Sequence, residues 1–207
     1  DFLAVLRALT TAHGAVLIFD EVMTSRLSVG GAQLLLGITP DTTTLGKYLG
    51  GGLSFGAFGG RADLMGTFDP ARGGLSHAGT FNNNAFTMAV GAVVAGDLVG
   101  ADALAAVNER GDRLRAGRQA RFDASPLPFC VTGWGSLLCV HPVASPADID
   151  DADVRWRDLF FHDLLDGGFY TAPRGMLALS MAVSDDDTGA FLDGVERFCA
   201  QRGDLAR

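Results

Sequence analysis

The sequence predicts an α/β fold for its first part and a smaller α+β domain for its last part. Residues 15–19 form a run of five apolar residues after Gly14, which is typical of a parallel strand buried on both faces. A Pro-containing stretch at residues 125–128 marks a change of pattern. Beyond it, strand and helix patterns follow as strand, helix, two strands and helix, which is typical of helices packed on one face of a sheet. We therefore predict domains at residues 1–124 and 125–207.

The first part contains helical and extended segments in alternation. A helical pattern ends at Gly14, and the strand at residues 15–19 follows. Threonines at residues 42–44 favour a second strand, and residues 55–60 a third. The remaining segments are helices, predicted at residues 62–68, 85–99 and 101–122. The helix at residues 85–99 is apolar almost all round, so we expect it to be buried or to lie at a dimer interface.

Five arginines lie on the helix predicted at residues 101–122. Glu109, Asp112 and Asp123 lie between or beside them. Mixed charge of this kind is typical of a solvated face, and we interpret the arginines in that way rather than as a basic patch.

The last part contains shorter elements. Residues 130–141 are predicted as a strand interrupted by glycines, residues 151–166 as a helix and residues 170–171 as a short strand. Residues 176–183 are predicted as a further strand and residues 187–201 as a final helix.

Composition and charge disfavour a nucleic-acid-binding, a membrane-spanning and a metal-binding protein. The formal net charge of −8 disfavours nucleic acid as a partner. The longest apolar stretch, residues 85–96, is too short to span a bilayer. Cys130, Cys139 and Cys199 are an odd and sparse set, which fits a reducing cytosol, and no metal-ligand spacing is present. The chain is therefore expected to be cytoplasmic, with no membrane contact and no metal.

Two charged residues carry the chemistry of the first part. Asp20 ends the first apolar run, where open α/β sheets place their ligands. Lys47 lies between Gly46 and the glycines at residues 50–52, which allow tight turns and close backbone approach to a ligand. Pyridoxal 5'-phosphate (PLP) needs a lysine that binds it covalently and a carboxylate that keeps its ring nitrogen protonated. Asp20 and Lys47 suit those two roles.

Several ordered motifs carry a resemblance to a known family. They are F-D-E-V-M-T-S-R at residues 19–26, T-L-G-K-Y-L-G-G-G at 44–52, G-A-F-G-G-R at 56–61 and H-A-G-T-F-N-N-N at 77–84. The sequence resembles the class III aminotransferases of PLP fold type I over nearly its whole length. It is more similar to the β-phenylalanine (aromatic β-amino acid) aminotransferases than to the glutamate-1-semialdehyde 2,1-aminomutases.

The resemblance implies roles for five residues. Lys47 carries the cofactor, Asp20 binds its ring nitrogen and Val22 packs on its ring. Thr80 binds the cofactor phosphate of the other subunit in a homodimer, although Thr80 could instead cap the helix that begins near Asn84. Arg174, between Pro173 and Gly175, binds a substrate carboxylate, although an exposed arginine more often forms a surface ion pair.

The resemblance also implies transamination of an aromatic β-amino acid, with 2-oxoglutarate as the acceptor. Three alternatives stay open: an aminomutase, another PLP reaction such as racemisation or decarboxylation, and a non-catalytic fragment that keeps the fold. Family members carry a long segment before the point that matches Asp1, with further cofactor contacts. We therefore expect this chain to be the C-terminal portion of an enzyme and inactive alone.

Overall fold

The computed structural model describes residues 2–206, and the chain forms two compact units. The first ends at Leu104 and the second begins at Ala105. The sequence predicts the domain boundary later, at residues 124/125, and the domain division of the complete protein stays a prediction. The division lies earlier because of the long helix Ala101–Asp123. Most of this helix packs against the strands at residues 130–141.

The first unit is built on a three-stranded mixed sheet. Its strands are β1 (Ile18–Asp20), β2 (Thr42–Gly46) and β3 (Gly56–Gly60), in the order β1-β2-β3. β1 and β2 run parallel, whereas β2 and β3 are antiparallel. The predicted parallel strand is confirmed, but it starts later than expected because the amide of Leu17 binds the side chain of Asp41 rather than a ladder partner.

Burial of β1 on both faces is not observed in this chain. Leu17 is buried, but Ile18 is 58% exposed. The sequence pattern therefore predicted the strand correctly, but not the exposure of one of its faces.

Among residues 2–206, four α-helices belong wholly to the first unit. They are α1 (Phe2–Ala12), α2 (Gly31–Leu36), α3 (Ala62–Met65) and α4 (Ala85–Val93). A π-helical turn, Val94–Leu98, continues α4. The expected burial of this apolar helix is incomplete, because Phe86 is 78% exposed within the chain. A dimer interface at α4 stays a prediction.

The second unit packs helices on an antiparallel sheet. α5 (Ala101–Asp123) runs into it from the first unit, and α6 (Val154–Asp166) and α7 (Asp185–Arg202) follow. The sheet has the order β4 (Cys130–Trp134), β5 (Leu137–His141) and β6 (Met176–Ala178). Aliphatic and aromatic side chains form its core, with Phe122 stacked on Phe129 at 4.9 Å between ring centroids.

Three predictions for this unit are wrong in detail. Residues 130–141 form two antiparallel strands, since Gly135 takes a left-handed backbone and turns the chain. Residues 170–171 are not a strand, and the strand predicted at 176–183 stops at Ala178. The order is therefore strand, strand, helix, strand and helix.

No single helix in the described residues is long and apolar enough to cross a membrane. α4 with its π-helical turn meets that criterion only together with α5, and the two are bent by 81°.

Candidate active site

The sheet of the first unit brings Asp20 and Lys47 to one edge. Asp20 is the last residue of β1, and Lys47 follows the last residue of β2. The two strands run parallel, with Asp20 opposite Thr44. Parallel strands end at the same edge of a sheet, so a carboxylate and an amine lie where α/β sheets bind their ligands.

Asp20 is held in place by two hydrogen bonds to one oxygen. Its Oδ1 accepts from the amide of Val22 at 3.0 Å and from the hydroxyl of Thr44 at 3.2 Å. The side chain is exposed, and its Oδ2 accepts no hydrogen bond from residues 2–206. The carboxylate is thus oriented while one oxygen is free for a ligand.

Lys47 has an unusual backbone for its residue type. Its φ of 52° lies in the left-handed region, which lysine rarely adopts. Such backbone strain costs of order 1–3 kcal/mol and is concentrated at functional sites. Nζ contacts Sδ of Met23, and no carboxylate in the described part of the chain forms an ion pair with it. The amine is exposed and available to a ligand.

Val22 lies against the backbone that leads into Lys47. A Cβ placed on Gly46 would lie 3.3 Å from Cγ1 of Val22 and 3.2 Å from the carbonyl oxygen of Phe55. Glycine at position 46 therefore allows Val22, which is half-buried, to pack closely beside the lysine.

Glu21 is a buried carboxylate that the sequence analysis missed. It is 1% exposed, and its oxygens accept from the amides of Ala32 at 3.0 Å and Gln33 at 2.7 Å, in the first turn of α2. Thr24 donates a further hydrogen bond. A Cβ on Gly31, whose φ is 71°, would lie 2.7 Å from Oε1 of Glu21.

A signal for this contact is present in the sequence. The residues before α2 are Val29 and Gly30, which offer no side-chain acceptor for the free amides of the helix. Such a helix needs an acceptor from elsewhere, and a negative charge suits its N-terminus. Glu21 supplies it and thereby fixes the chain that follows Asp20.

Asp41 lies just before β2, at the end of the sheet opposite Asp20 and Lys47. Its carboxylate accepts from the amide of Leu17 at 2.7 Å and from the guanidinium groups of Arg7 and Arg61, both at 2.9 Å. The hydrogen bond from Leu17, followed by that from Arg61, lowers the pKa of Asp41 to about 2. Arg61 also binds Asp63. This network joins α1, β1 and β3.

Thr80 lies in an exposed turn before α4. The amide of Asn82 donates to the carbonyl of Gly79, and Thr80 forms no hydrogen bond with any residue between 2 and 206. Asn84 caps α4, since its Oδ1 accepts from the amides of Phe86 and Thr87. The alternative role of Thr80 as the cap of this helix is therefore excluded, and its role toward a phosphate stays a prediction.

Arg174 lies in the second unit, on a tight turn. The amide of Gly175 donates to the carbonyl of Ala172 at 2.9 Å, which places Pro173 and Arg174 at the centre of the turn. Gly175 has a φ of 84°, and a Cβ there would lie 2.6 Å from the carbonyl oxygen of Val140. The turn is thus fixed to β5, and the exposed guanidinium of Arg174 contacts only Sδ of Met176, at 3.6 Å, among the described side chains.

A metal site is not formed by the described residues. No group of three or more His, Cys, Asp or Glu side chains among them could hold an ion.

Comparisons with known proteins place this geometry in a family. The family model for Aminotransferase class-III matches residues 1–198. A β-phenylalanine transaminase of Variovorax paradoxus is 46% identical over 99% of this chain, which covers 48% of that protein. A glutamate-1-semialdehyde 2,1-aminomutase of Laribacter hongkongensis is 39% identical over 97% of this chain, which again covers 48% of that protein.

Solved structures agree with the predicted fold class. The crystal structure of a β-phenylalanine aminotransferase from Variovorax paradoxus superposes with a TM-score of 0.94 at 46% identity, over 99% of this chain and 48% of that one. An ω-transaminase from Sphaerobacter thermophilus superposes with a TM-score of 0.89 at 36% identity, over 96% of this chain and 47% of that one.

The α/β fold that the sequence predicts is confirmed by these structures. The chain spans about half the length of the curated relatives it matches. Since the family model matches nearly the whole chain, the chain belongs to the class-III aminotransferase family.

Proposed function

We propose that the complete protein is a PLP-dependent aminotransferase that acts on an aromatic β-amino acid, with 2-oxoglutarate as the acceptor. The observation that carries the proposal is the placement of Asp20 and Lys47 at the shared end of two parallel strands. The 46% identity to a β-phenylalanine transaminase supports the choice of donor.

The residues at this edge fit PLP. The Oδ2 oxygen of Asp20, which accepts no hydrogen bond within residues 2–206, can accept one from a protonated ring nitrogen. The amine of Lys47 contacts Sδ of Met23 and forms no ion pair within the same residues, so it can bind an aldehyde. Val22 offers an apolar surface beside them. When bound, PLP supplies an electron sink for the carbanion that forms on the substrate carbon.

Each side chain then has a distinct task. Asp20 holds the proton on the ring nitrogen, and its bonds to Val22 and Thr44 keep the carboxylate in position. Lys47 moves a proton through Nζ, acting as general base and then as general acid. Thr80, whose hydroxyl forms no hydrogen bond within residues 2–206, binds the cofactor phosphate of the other subunit in a homodimer. Arg174 binds the substrate carboxylate with two parallel hydrogen bonds.

An aminomutase is the second candidate. The 39% identity to a glutamate-1-semialdehyde 2,1-aminomutase favours it, and the same Asp and Lys would serve that reaction. The two reactions differ in their need for a second substrate, because only a transaminase consumes an oxo acid.

Cofactor labelling and activity assays of the complete protein test the proposal. Borohydride reduction in the presence of PLP, followed by peptide mapping, should place the cofactor mass on Lys47. Turnover of an aromatic β-amino acid should require 2-oxoglutarate. Conversion of glutamate-1-semialdehyde without an oxo acid would identify an aminomutase, and the absence of any cofactor label would leave a non-catalytic protein with this fold.

A further inference from the structure

Arg118 lies on the buried face of α5, contrary to the interpretation of the α5 arginines as a solvated face. It is 1% exposed, whereas the neighbouring Arg113 is 60% exposed at its side chain. The core residues Val107, Leu114 and Phe122 share its face, at about three turns, one turn and one turn from Arg118. The position is one where the helical period predicts an apolar residue.

Two nitrogens of the Arg118 guanidinium have no hydrogen-bond partner among the described residues. Its Nε and Nη1 are both buried without an acceptor. The rings of Phe160 and Phe191 lie 5.9 and 5.5 Å from its central carbon, so its nearest charge-compensating groups are aromatic. Burial lowers the pKa of Arg118 to about 10, which leaves it a cation at neutral pH. A buried cation without a hydrogen-bonded anion is costly, and such groups in native proteins have an explanation.

A second arginine lines the same cavity. Arg157 of α6 and Arg118 both face a space bounded by Val140 and the turn at residues 171–175. Nε of Arg157 is also buried without an acceptor, and none of the described carboxylates forms an ion pair with either arginine. The charges of both arginines lower the pKa of His141, after burial as the larger cause, so the local potential is positive.

The cavity limits the size of a ligand. Its volume of about 10 Å³ corresponds to roughly one water-sized group. Two guanidinium groups around so small a space suit a single compact anion, since guanidinium binds anions through several N–H donors.

We propose that Arg118 and Arg157 form a buried binding site for one small anion, either a free halide-sized ion or a carboxylate from elsewhere in the complete protein. The site lies beneath the turn that carries Arg174 and differs from the substrate site assigned to that exposed residue. It does not rest on the proposed function, because none of its groups takes part in the chemistry at Asp20 and Lys47.

Crystals of the complete protein, grown without halide and soaked in bromide, test the proposal. An anomalous peak within hydrogen-bond distance of Nε or Nη1 of Arg118 would support a free anion. A protein carboxylate oxygen at that position would support the same site with a ligand from the protein itself. Water alone, or no group at all, beside the two arginines would overturn the proposal.

A solution experiment distinguishes a free anion from a carboxylate of the protein itself. Thermal unfolding of the complete protein is followed as chloride replaces gluconate at constant ionic strength. A free anion should raise Tm by roughly 2 °C or more at saturation. Arg157→Met should weaken the apparent chloride affinity at least about tenfold, because it removes charged donors. Arg155→Met, on the same helix but with its side chain 87% exposed, is the matched control and should leave the chloride response unchanged.

Arg118→Met completes the design. A protein that binds chloride at this site should lose the response when Arg118 is replaced, whether or not the apolar residue alters stability in gluconate. A chloride response that persists unchanged in both Arg118→Met and Arg157→Met would place the ion elsewhere and overturn the proposal.

Discussion

The hydroxyl of Thr44 donates a hydrogen bond to Oδ1 of Asp20 at 3.2 Å, across two parallel strands in which these residues are opposite one another. The strand that leads into Lys47 thus orients the carboxylate at the end of the neighbouring strand. Sheet register and site geometry are therefore linked through one pair of residues.

Asp20→Asn is expected to leave PLP bound but to reduce turnover at least about 10²-fold, by analogy with other electrostatic stabilisers. A neutral amide cannot hold the proton on the ring nitrogen. Stopped-flow or steady-state assays of the complete enzyme check this result. Thr44→Val, which removes only the orienting hydrogen bond, should reduce turnover by no more than about tenfold. Turnover of Asp20→Asn within a few-fold of the wild type would remove Asp20 from its assigned role.

Gly31→Ala is expected to destabilise the protein more than Gly37→Ala does. Both glycines have left-handed backbones, with φ of 71° and 64°, so an alanine costs about 1–2 kcal/mol at each. Only at position 31 would the new Cβ also meet the buried carboxylate of Glu21, whereas nothing lies within 4 Å of it at position 37. The midpoints of urea unfolding measure the difference, and equal losses would show that Glu21 moves aside without penalty.

The stability of the protein is expected to fall in acid partly through Asp41. Its folded pKa is about 2, whereas a free aspartate titrates near about 3.9. The unfolded chain therefore takes up the proton first, and the stabilisation is complete above about pH 4 and is lost as the pH falls toward about 2. The difference in unfolding free energy between wild type and Asp41→Asn should shrink over this range. Asp97→Asn, at an exposed carboxylate, is the charge-matched control. A difference that stays constant from pH 5 to pH 2 would contradict the assignment.

Arg174→Ala is expected to raise KM for the substrate that carries the recognised carboxylate by about ten- to a hundredfold, since a bidentate charged contact is worth roughly 1.5–3 kcal/mol. Arg174→Lys should restore only part of the affinity, because an ammonium group cannot reproduce the planar fork. Amines without a carboxylate should be little affected. Arg155→Ala, which removes an exposed arginine paired with Asp153, should leave KM unchanged. An unchanged KM in Arg174→Ala would leave Arg174 as a surface residue.

The sequence predicted those features that depend on local pattern. The end of the apolar run before Asp20 and the threonines before Lys47 lie in the paired strands β1 and β2, because both signals are short-range. The strand prediction at residues 130–141 included the interruption by glycines, but not that the left-handed backbone of Gly135 divides the segment into two strands.

Features that depend on distant contacts were not predicted. Glu21 binds amides in α2, and only the fold shows that those amides are near. Arg118 was grouped with its exposed neighbours by charge, although the helical period places it among core residues. The mixed charge of this helix predicts an exposed arginine at position 118, whereas the helical period predicts a buried residue. The structure follows the helical period.

The left-handed backbone of Lys47 has a consequence for protein engineering. An alanine at position 47 keeps the same unfavourable φ, so an inactive alanine variant does not recover the stability that the lysine sacrifices. Screens that select only for heat resistance would therefore favour glycine at this position and discard the amine. Stabilised forms of this protein should be sought at positions away from this end of the sheet, with residue 47 held fixed.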